Sequence, residues 1–402
     1  MIRSLFILVF LCTVLEVLAQ NSISYSDWSI VAPLPSGKVD DGSGFTLNGR
    51  LYYGCGMNES FRLRNEWNCY DIAKAKWIQM DTLPGEARQY ASSFSSNSYG
   101  FVVGGILPDN RFSNECFLFD PSAMQWMKLD NAPWQPRGVA AVFTVGNYAF
   151  LAGGRNDSVH FNDMWRFNLE THHWDLIGDI PGDGKDEMSS FGIKGSGYLM
   201  LGREKNGCTN NQVWKYDLLN DSWSRMSDFP GKARTYSAVA SSNSGALIIG
   251  GENGDGELLS ECYFYNPDED NWLHLPNYRI ELRGAELLNV EDDFYVLCGL
   301  TQSNTGLNEV ERITITKHRF YNSSPFEVYP NPNRGEFAIK STLDYEFRMV
   351  TVHDARGKFV ERITGFASSN FSTLDLRDEE KGVYIVTIAS EAFTQRLKIL
   401  IY

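Results

Sequence analysis

Five cations stand at one phase of a long period. Arg88, Arg137, Lys185, Arg234 and Arg283 each follow a tryptophan by eleven residues. If the chain closes into a ring, side chains at one phase converge on one mouth. Converging cations bind carboxylates, phosphates or acidic sugars. The same residues have a structural use, pairing with acids of a neighbouring repeat or capping backbone carbonyls. Near them in phase come Asn110, Arg111, Arg155, His160, Lys205 and Asn206, with Glu86, Asp183 and Glu187 as the nearest acids. None of these acids forms a recognisable acid–base couple, so no catalytic residue is assigned. The histidines (160, 172, 173, 274, 318 and 353) hold no equivalent positions in different repeats, so no copper or other metal site is expected. Residues 252–257 (Glu-Asn-Gly-Asp-Gly-Glu) are oxygen-rich enough for calcium but carry few carboxylates, and read as a turn. No cofactor is expected.

The elements that must position these residues repeat. Trp28, Trp77, Trp126, Trp174, Trp223 and Trp272 are 48 or 49 residues apart. A period near 50 signals a propeller or array, each period being one supersecondary unit. Tyr70, Phe119, Phe167, Tyr216 and Tyr265 stand seven residues before five of the tryptophans, and Ile313 before Phe320 keeps that spacing in a weaker sixth copy. Earlier in each period an apolar triplet runs into glycine, as in Phe101-Val102-Val103-Gly104-Gly105 and Leu247-Ile248-Ile249-Gly250-Gly251. Turn signals such as Asn48-Gly49 and Gly146-Asn147 precede these triplets, which predicts hairpins. Each period therefore holds four short strands. Such a sheet cannot bury its own faces, but a ring of six can. Trp28 is left over at the start, and the strand around it is expected to close the ring against the sixth unit.

The double glycine, the spaced aromatic and the tryptophan resemble kelch repeats over residues 28–321. The resemblance implies an all-β, six-bladed kelch β-propeller spanning residues 20–321. It is less regular at Gly54-Cys55-Gly56, at Gly202-Arg203 and at Phe320. Some kelch-like propellers are enzymes, including copper radical oxidases and sialate mutarotases. Short, even loops favour a module that binds protein or an anionic glycan at one face, with a carbohydrate enzyme such as a sialate mutarotase as the alternative.

The period ends at the polar stretch 321–325. Residues 326–402 alternate as strands at 336–340, 348–353, 359–363, 372–376, 383–388 and 396–401, the pattern of a small Ig-like β-sandwich. Pro330-Asn331-Pro332 with Gly335, the turn at Gly357, and Gly382-Val383-Tyr384 come in order. Together they resemble the type A C-terminal sorting domain of the type IX (Por) secretion system. That implies a bacterium of the Bacteroidetes group. It implies an outer-membrane translocon and a sorting peptidase as partners, and a protein anchored at the cell surface or released. The more charged stretch at 377–381 departs from the usual pattern.

The other end fits this route. Residues 1–19 carry Arg3, an apolar run and small residues at Val17 and Ala19, which reads as a signal peptide. No later stretch is apolar enough for a membrane-spanning helix. Six cysteines follow the leader: Cys55, Cys69, Cys116, Cys208, Cys262 and Cys298. Several sit in apolar runs and read as buried thiols. The net charge of −14 excludes nucleic acid, which requires a basic face.

Overall fold

The computed structural model describes residues 22–318, 326–341, 349–364, 371–389 and 394–402. The leader at 1–19, Phe320 and the stretch 321–325 lie outside the described residues. The described residues form two compact units, one of Ile23–Lys317 and one of those from His318 on.

In the first unit the hairpin signals produce antiparallel four-stranded blades. Blade one runs outward through Ser43–Leu47, Arg50–Gly54, Trp67–Asp71 and Lys76–Gln79. The inner strands of the next four are Ser92–Ser95, Ala141–Val145, Ser189–Ile193 and Ala238–Ser241. Each lies against the inner strand of the following blade. Glu286–Val290 of blade six lies against Ser43–Leu47, which closes a six-bladed propeller.

Closure is completed by the start of the chain. Ser22–Tyr25 and Ser29–Ile30 both pair with Val310–His318 of blade six. Trp28 packs edge-on against Tyr278 at 5.0 Å, inside that blade's core. The tryptophan of blade six is therefore Trp28, whose neighbour Ser29 pairs with Arg312, 283 residues away in sequence.

The seven-residue spacing has a register explanation. Tyr70 pairs directly with Trp77 across a hairpin, and Phe119, Tyr216 and Tyr265 pair in the same way with Trp126, Trp223 and Trp272. Those ring pairs sit 4.7–5.1 Å apart. Cross-strand aromatic contacts are the unit of sheet stabilisation. Between blades, Phe45 and Phe143 lie so close to Gly100 and Gly197 that a Cβ there would stand 2.1 and 1.9 Å from a ring carbon. Serine hydroxyls stitch inner strands together: Ser93 donates to Gly44 O, Ser95 to Thr46 O and Ser241 to Gly192 O, each at 2.7 Å.

In the second unit, Phe326–Tyr329, Glu336–Ser341 and Phe371–Asp375 form one sheet. Phe359–Thr364, Met349–Asp354, Gly382–Ala389 and Thr394–Ile401 form another. Phe326, Phe337 and Ile339 of the first share a core with Val350, Val386 and Ile399 of the second. The Pro330-Asn331-Pro332 stretch secures the last strand. Between Pro330 and Pro332, Asn331 donates to Lys398 O at 2.8 Å and accepts from Leu400 N–H at 3.0 Å. Gly335 has a φ of 96°, with the Arg377 backbone 2.7 Å from where its Cβ would be. Gly357 (φ 84°) completes a turn whose amides bond Asp354, and the Tyr384 hydroxyl donates to Glu380 O.

Candidate functional site

The repeating cations divide into two kinds. Arg88, Arg137 and Arg234 are sealed, with at most 1 % of each residue exposed. Each opens a blade, and its fork is spent inside the protein. Nε donates to the carbonyl two residues back: Glu86, Gln135 or Lys232. Nη1 donates to the first glycine of the double-glycine motif: Gly104 at 2.9 Å, Gly153 at 3.0 Å and Gly250 at 3.0 Å. The far nitrogens meet Glu115, Asp163 and Glu261. An aromatic face covers each guanidinium: Phe117, Phe161 or Phe229. Lys185 is likewise buried, with Nζ 3.4 Å from Gln212 Oε1 and 3.8 Å from Glu204. The expected ligand role is corrected for these four: no charged head is left to meet a ligand. The sealed arginines tie the inner turn to the glycine corner and the third strand. Removing one partner of a buried ion pair costs roughly 3–5 kcal/mol.

Arg283 differs because the repeat slips by one residue. The carbonyls of Arg88, Arg137, Lys185 and Arg234 accept from Gly56, Gly105, Gly154 and Gly202. In blade six the accepting carbonyl is that of Leu282, bonded to Gly251, and in the next it is Val39, bonded to Gly299. Leu282 therefore holds the sealed position, 1 % exposed. Arg283 falls on the other face of the strand, because side chains alternate, and reaches the channel.

The phase that lines the channel lies two residues beyond the sealed one. Asp41, Tyr90, Val139, Glu187, Tyr236 and Gly284 all have φ between 51° and 60°. Five backbone hydrogen bonds and the Tyr236 hydroxyl bonded to Glu187 link them round the axis. Tyr90 N–H donates to Asp41 O at 3.0 Å, Val139 to Tyr90 at 3.2 Å and Glu187 to Val139 at 3.1 Å. Gly284 donates to Tyr236 O at 3.2 Å, and Asp41 donates to Gly284 O at 3.0 Å. A left-handed valine is a strained backbone, held here by the two blades it bridges. Tyr90 and Tyr236, from opposite blades, meet on the axis with ring centroids 5.6 Å apart.

Around this ring the charges form two groups. On blades three and four, Asp186 is sealed. Arg155 Nε stands 3.0 Å from it, Arg203 Nε 3.4 Å and His160 Nδ1 3.5 Å. Arg203 also pairs with Glu187, which accepts from the Tyr236 hydroxyl. On blades five, six and one, Arg283 lies 3.6 Å from Asp41 and 3.1 Å from Glu252. Its guanidinium sits 5.1 Å from the Tyr236 ring centre. A 90 Å³ cavity lined by Asp40, Arg283 and the exposed Phe61 opens beside this group.

Burial and neighbouring carboxylates set the titration of the ring acids. Burial first, then Asp40, pushes Asp41 up to about 7. Burial first, then Asp186, pushes Glu187 up to about 7. Burial raises both channel tyrosines, and the adjoining acids raise them further. Burial opposes the Arg283 charge, but Asp41 and then Tyr90 outweigh it and hold the guanidinium above its usual range.

The remaining candidates are scattered. Glu86 pairs with Arg111 on the surface. Asn110, Asp183, Lys205 and Asn206 are exposed and take no part in either charge group. In the 252–257 turn, Glu252 faces Arg283 while Glu257 accepts from Lys232 and Asn253. Among the cysteines Cys208 is exposed and the other described ones are buried free thiols. Reading by residue type missed Asp41, Tyr90, Arg203 and Tyr236. Reading by phase finds Asp41, Tyr90 and Tyr236, because the ring follows the sealed position by two residues.

Comparisons with known proteins agree with this architecture. Residues 14–192 match a family model described as the KLHDC2/KLHL20/DRC7 Kelch-repeats domain. Residues 327–402 match the secretion system C-terminal sorting domain. A solved structure titled "Structure of YjhT" matches with a TM-score of 0.62 at 18% identity, covering 72% of this chain and 100% of that one. A likeness at that identity speaks for the fold. No curated protein matches. The first unit is a kelch-type β-propeller, and the second is a Por sorting domain that marks the chain for type IX export to the cell surface or beyond. Among the described residues no helix is long and apolar enough to cross a membrane.

Proposed function

We propose that this kelch propeller, exported through its sorting tail after a signal peptide directs it to the periplasm, is a binding module. Its channel mouth takes an acidic glycan at Arg155, Arg203 and His160. One observation supports this most. Those three side chains, each about a third exposed, gather round the sealed Asp186. Asp186 and Glu187 share the two guanidiniums, and because Glu187 keeps its proton up to about 7, positive potential is left facing the channel at neutral pH and below. Guanidinium forks match carboxylates bidentately, which a lysine does not. The paired Tyr90 and Tyr236 give a sugar ring an aromatic surface to rest on.

A second reading, a carbohydrate enzyme of the sialate mutarotase kind, draws on Asp41 and Glu187. They stand at opposite ring positions, each carboxyl held near 7. Groups titrating near the working pH are suited to acid–base transfer.

Calorimetry of the mature protein with N-acetylneuraminate and glucuronate tests the binding reading. Binding of either acid, weakened at least about tenfold in Arg155→Gln, is the expected result. Indifference to both acids overturns it. NMR of anomer exchange addresses the second reading: faster exchange, lost in Glu187→Gln, is the outcome it requires.

A further inference from the structure

The channel has a second mouth. From the left-handed ring, each inner strand runs about five residues, roughly 17 Å, before its hairpin turn. The turns of blades one, two and three enclose a cavity of about 780 Å³. Ligand pockets commonly span about 300–1,000 Å³. We infer that this second mouth binds an uncharged oligosaccharide segment, independently of what the first mouth binds.

The lining carries the argument. Asn48 from the turn of blade one, and Asn97 and Ser98 from the turn of blade two, are exposed. The amides of Asn48 and Asn97 have no hydrogen-bond partner among the described residues, so both are open to a ligand. Sugar hydroxyls donate and accept in equal measure, as amides do. Asn147 and Glu170 close the third side, bonded to each other at 2.8 Å. Glu170 is the one acid in the lining, and no lysine or arginine joins it. Burial lowers His172, which keeps its imidazole neutral at pH 7. That ring stacks on Phe167 and meets Tyr99 edge-on at 6.5 Å, giving an aromatic rim.

Other ligand classes fit less well. An anion finds no cation here. A peptide docks by pairing a free strand edge or by filling apolar pockets. The free edge of each inner strand lies against the inner strand of the next blade, where serine hydroxyls such as Ser93 and Ser95 take up its carbonyls, and the apolar lining residues, Leu47 and Leu169, are buried. The other half of the same face is built differently. There Lys194 and Lys317 converge on Asp268 in an ion cluster. The repeat does not force a neutral groove, so its confinement to blades one to three is specific to them.

Saturation-transfer NMR and calorimetry of the mature protein with maltotriose, cellotriose, mannotriose and chitotriose test the inference. At least one is expected to bind. Ser98→Trp fills the groove from an exposed turn and should weaken that ligand at least about tenfold. Asn97→Ala removes one hydrogen-bonding amide and should weaken it roughly three- to tenfold. Arg155→Gln at the first mouth should leave it unchanged. Both turn variants should keep the parent thermal midpoint. No binding by any of the four at about 10 mM, or full binding by Ser98→Trp, overturns the proposal. Loss of binding in Arg155→Gln assigns the sugar to the first mouth and overturns it too.

Discussion

A cation's phase in the repeat is legible in the sequence, but its burial is not. Arg137 and Arg283 look equivalent when counted from the preceding tryptophan. Only the backbone pairing shows that Leu282 has taken the sealed place and turned Arg283 into the channel. A one-residue slip in a loop leaves no compositional mark, yet it inverts which side chain faces which way. Glu187 stood among the acids read from the sequence, but Asp41 did not, since Val39 rather than a cation holds the sealed phase of its blade. Its titration leads to a prediction. In the unfolded chain Asp41 loses its proton near its ordinary value of 3.8, whereas the native carboxyl keeps it to about 7. Between those limits the native state binds more protons, so stability falls as pH rises and levels off above about 7. Glu187 adds a slope of the same sign. Asp41→Asn should match the parent near pH 4 and exceed it by on the order of 4 kcal/mol at pH 8. Urea midpoints at pH 4, 6 and 8 measure this; parallel pH profiles for the two proteins would refute it. Charge on these acids also opposes an anionic ligand, so acidic-sugar affinity should weaken over the same interval.

Individual strands were the most legible level. The seven-residue spacing of aromatic and tryptophan is a hairpin register, and the double glycine marks a corner where the chain turns left-handed, as at Gly104 and Gly105. The outer strand of blade six was legible too: the strand around Trp28 was expected to close the ring there, and it pairs with Val310–His318 from the far end of the chain. The unmatched Trp28 was the clue, since a tryptophan with the outer-strand pattern but no blade of its own must join another. The energetics of closure follow. Residues 22–30 pair with Val310–His318, Trp28 and Ile23 pack into the last blade's core, and Leu34 is buried against blade one. Deleting residues 20–34 exposes that core and leaves an unpaired strand edge. The thermal midpoint should fall by roughly 10 °C or more, with aggregation on heating. A midpoint within a degree or two of the parent would mean that the ring does not depend on this strand.

For the whole molecule, delivery was easier to read than binding, because the two are encoded differently. The residues that carried the sorting-domain resemblance are contiguous: Asn331, Gly335, Gly357 and Tyr384 lie within one short domain, each fixing a turn or clamping the last strand. The ring residues are spread over six blades and share no local motif, only a phase. The sorting unit also has its own core, in which Phe326, Phe337, Val386 and Ile399 are fully or nearly fully buried. The propeller closes on itself without it, through Glu286–Val290 against Ser43–Leu47. Folding and delivery should therefore separate. A chain ending at Lys317 should keep the parent's urea midpoint and ligand binding but remain in the periplasm. Protease added to intact cells should digest the full-length protein and spare the truncated one, which osmotic shock should release. A truncated protein that still reaches the surface would place the export signal in the propeller. One that fails to fold would make the sorting unit part of the propeller's stability, against the self-contained core that each unit possesses.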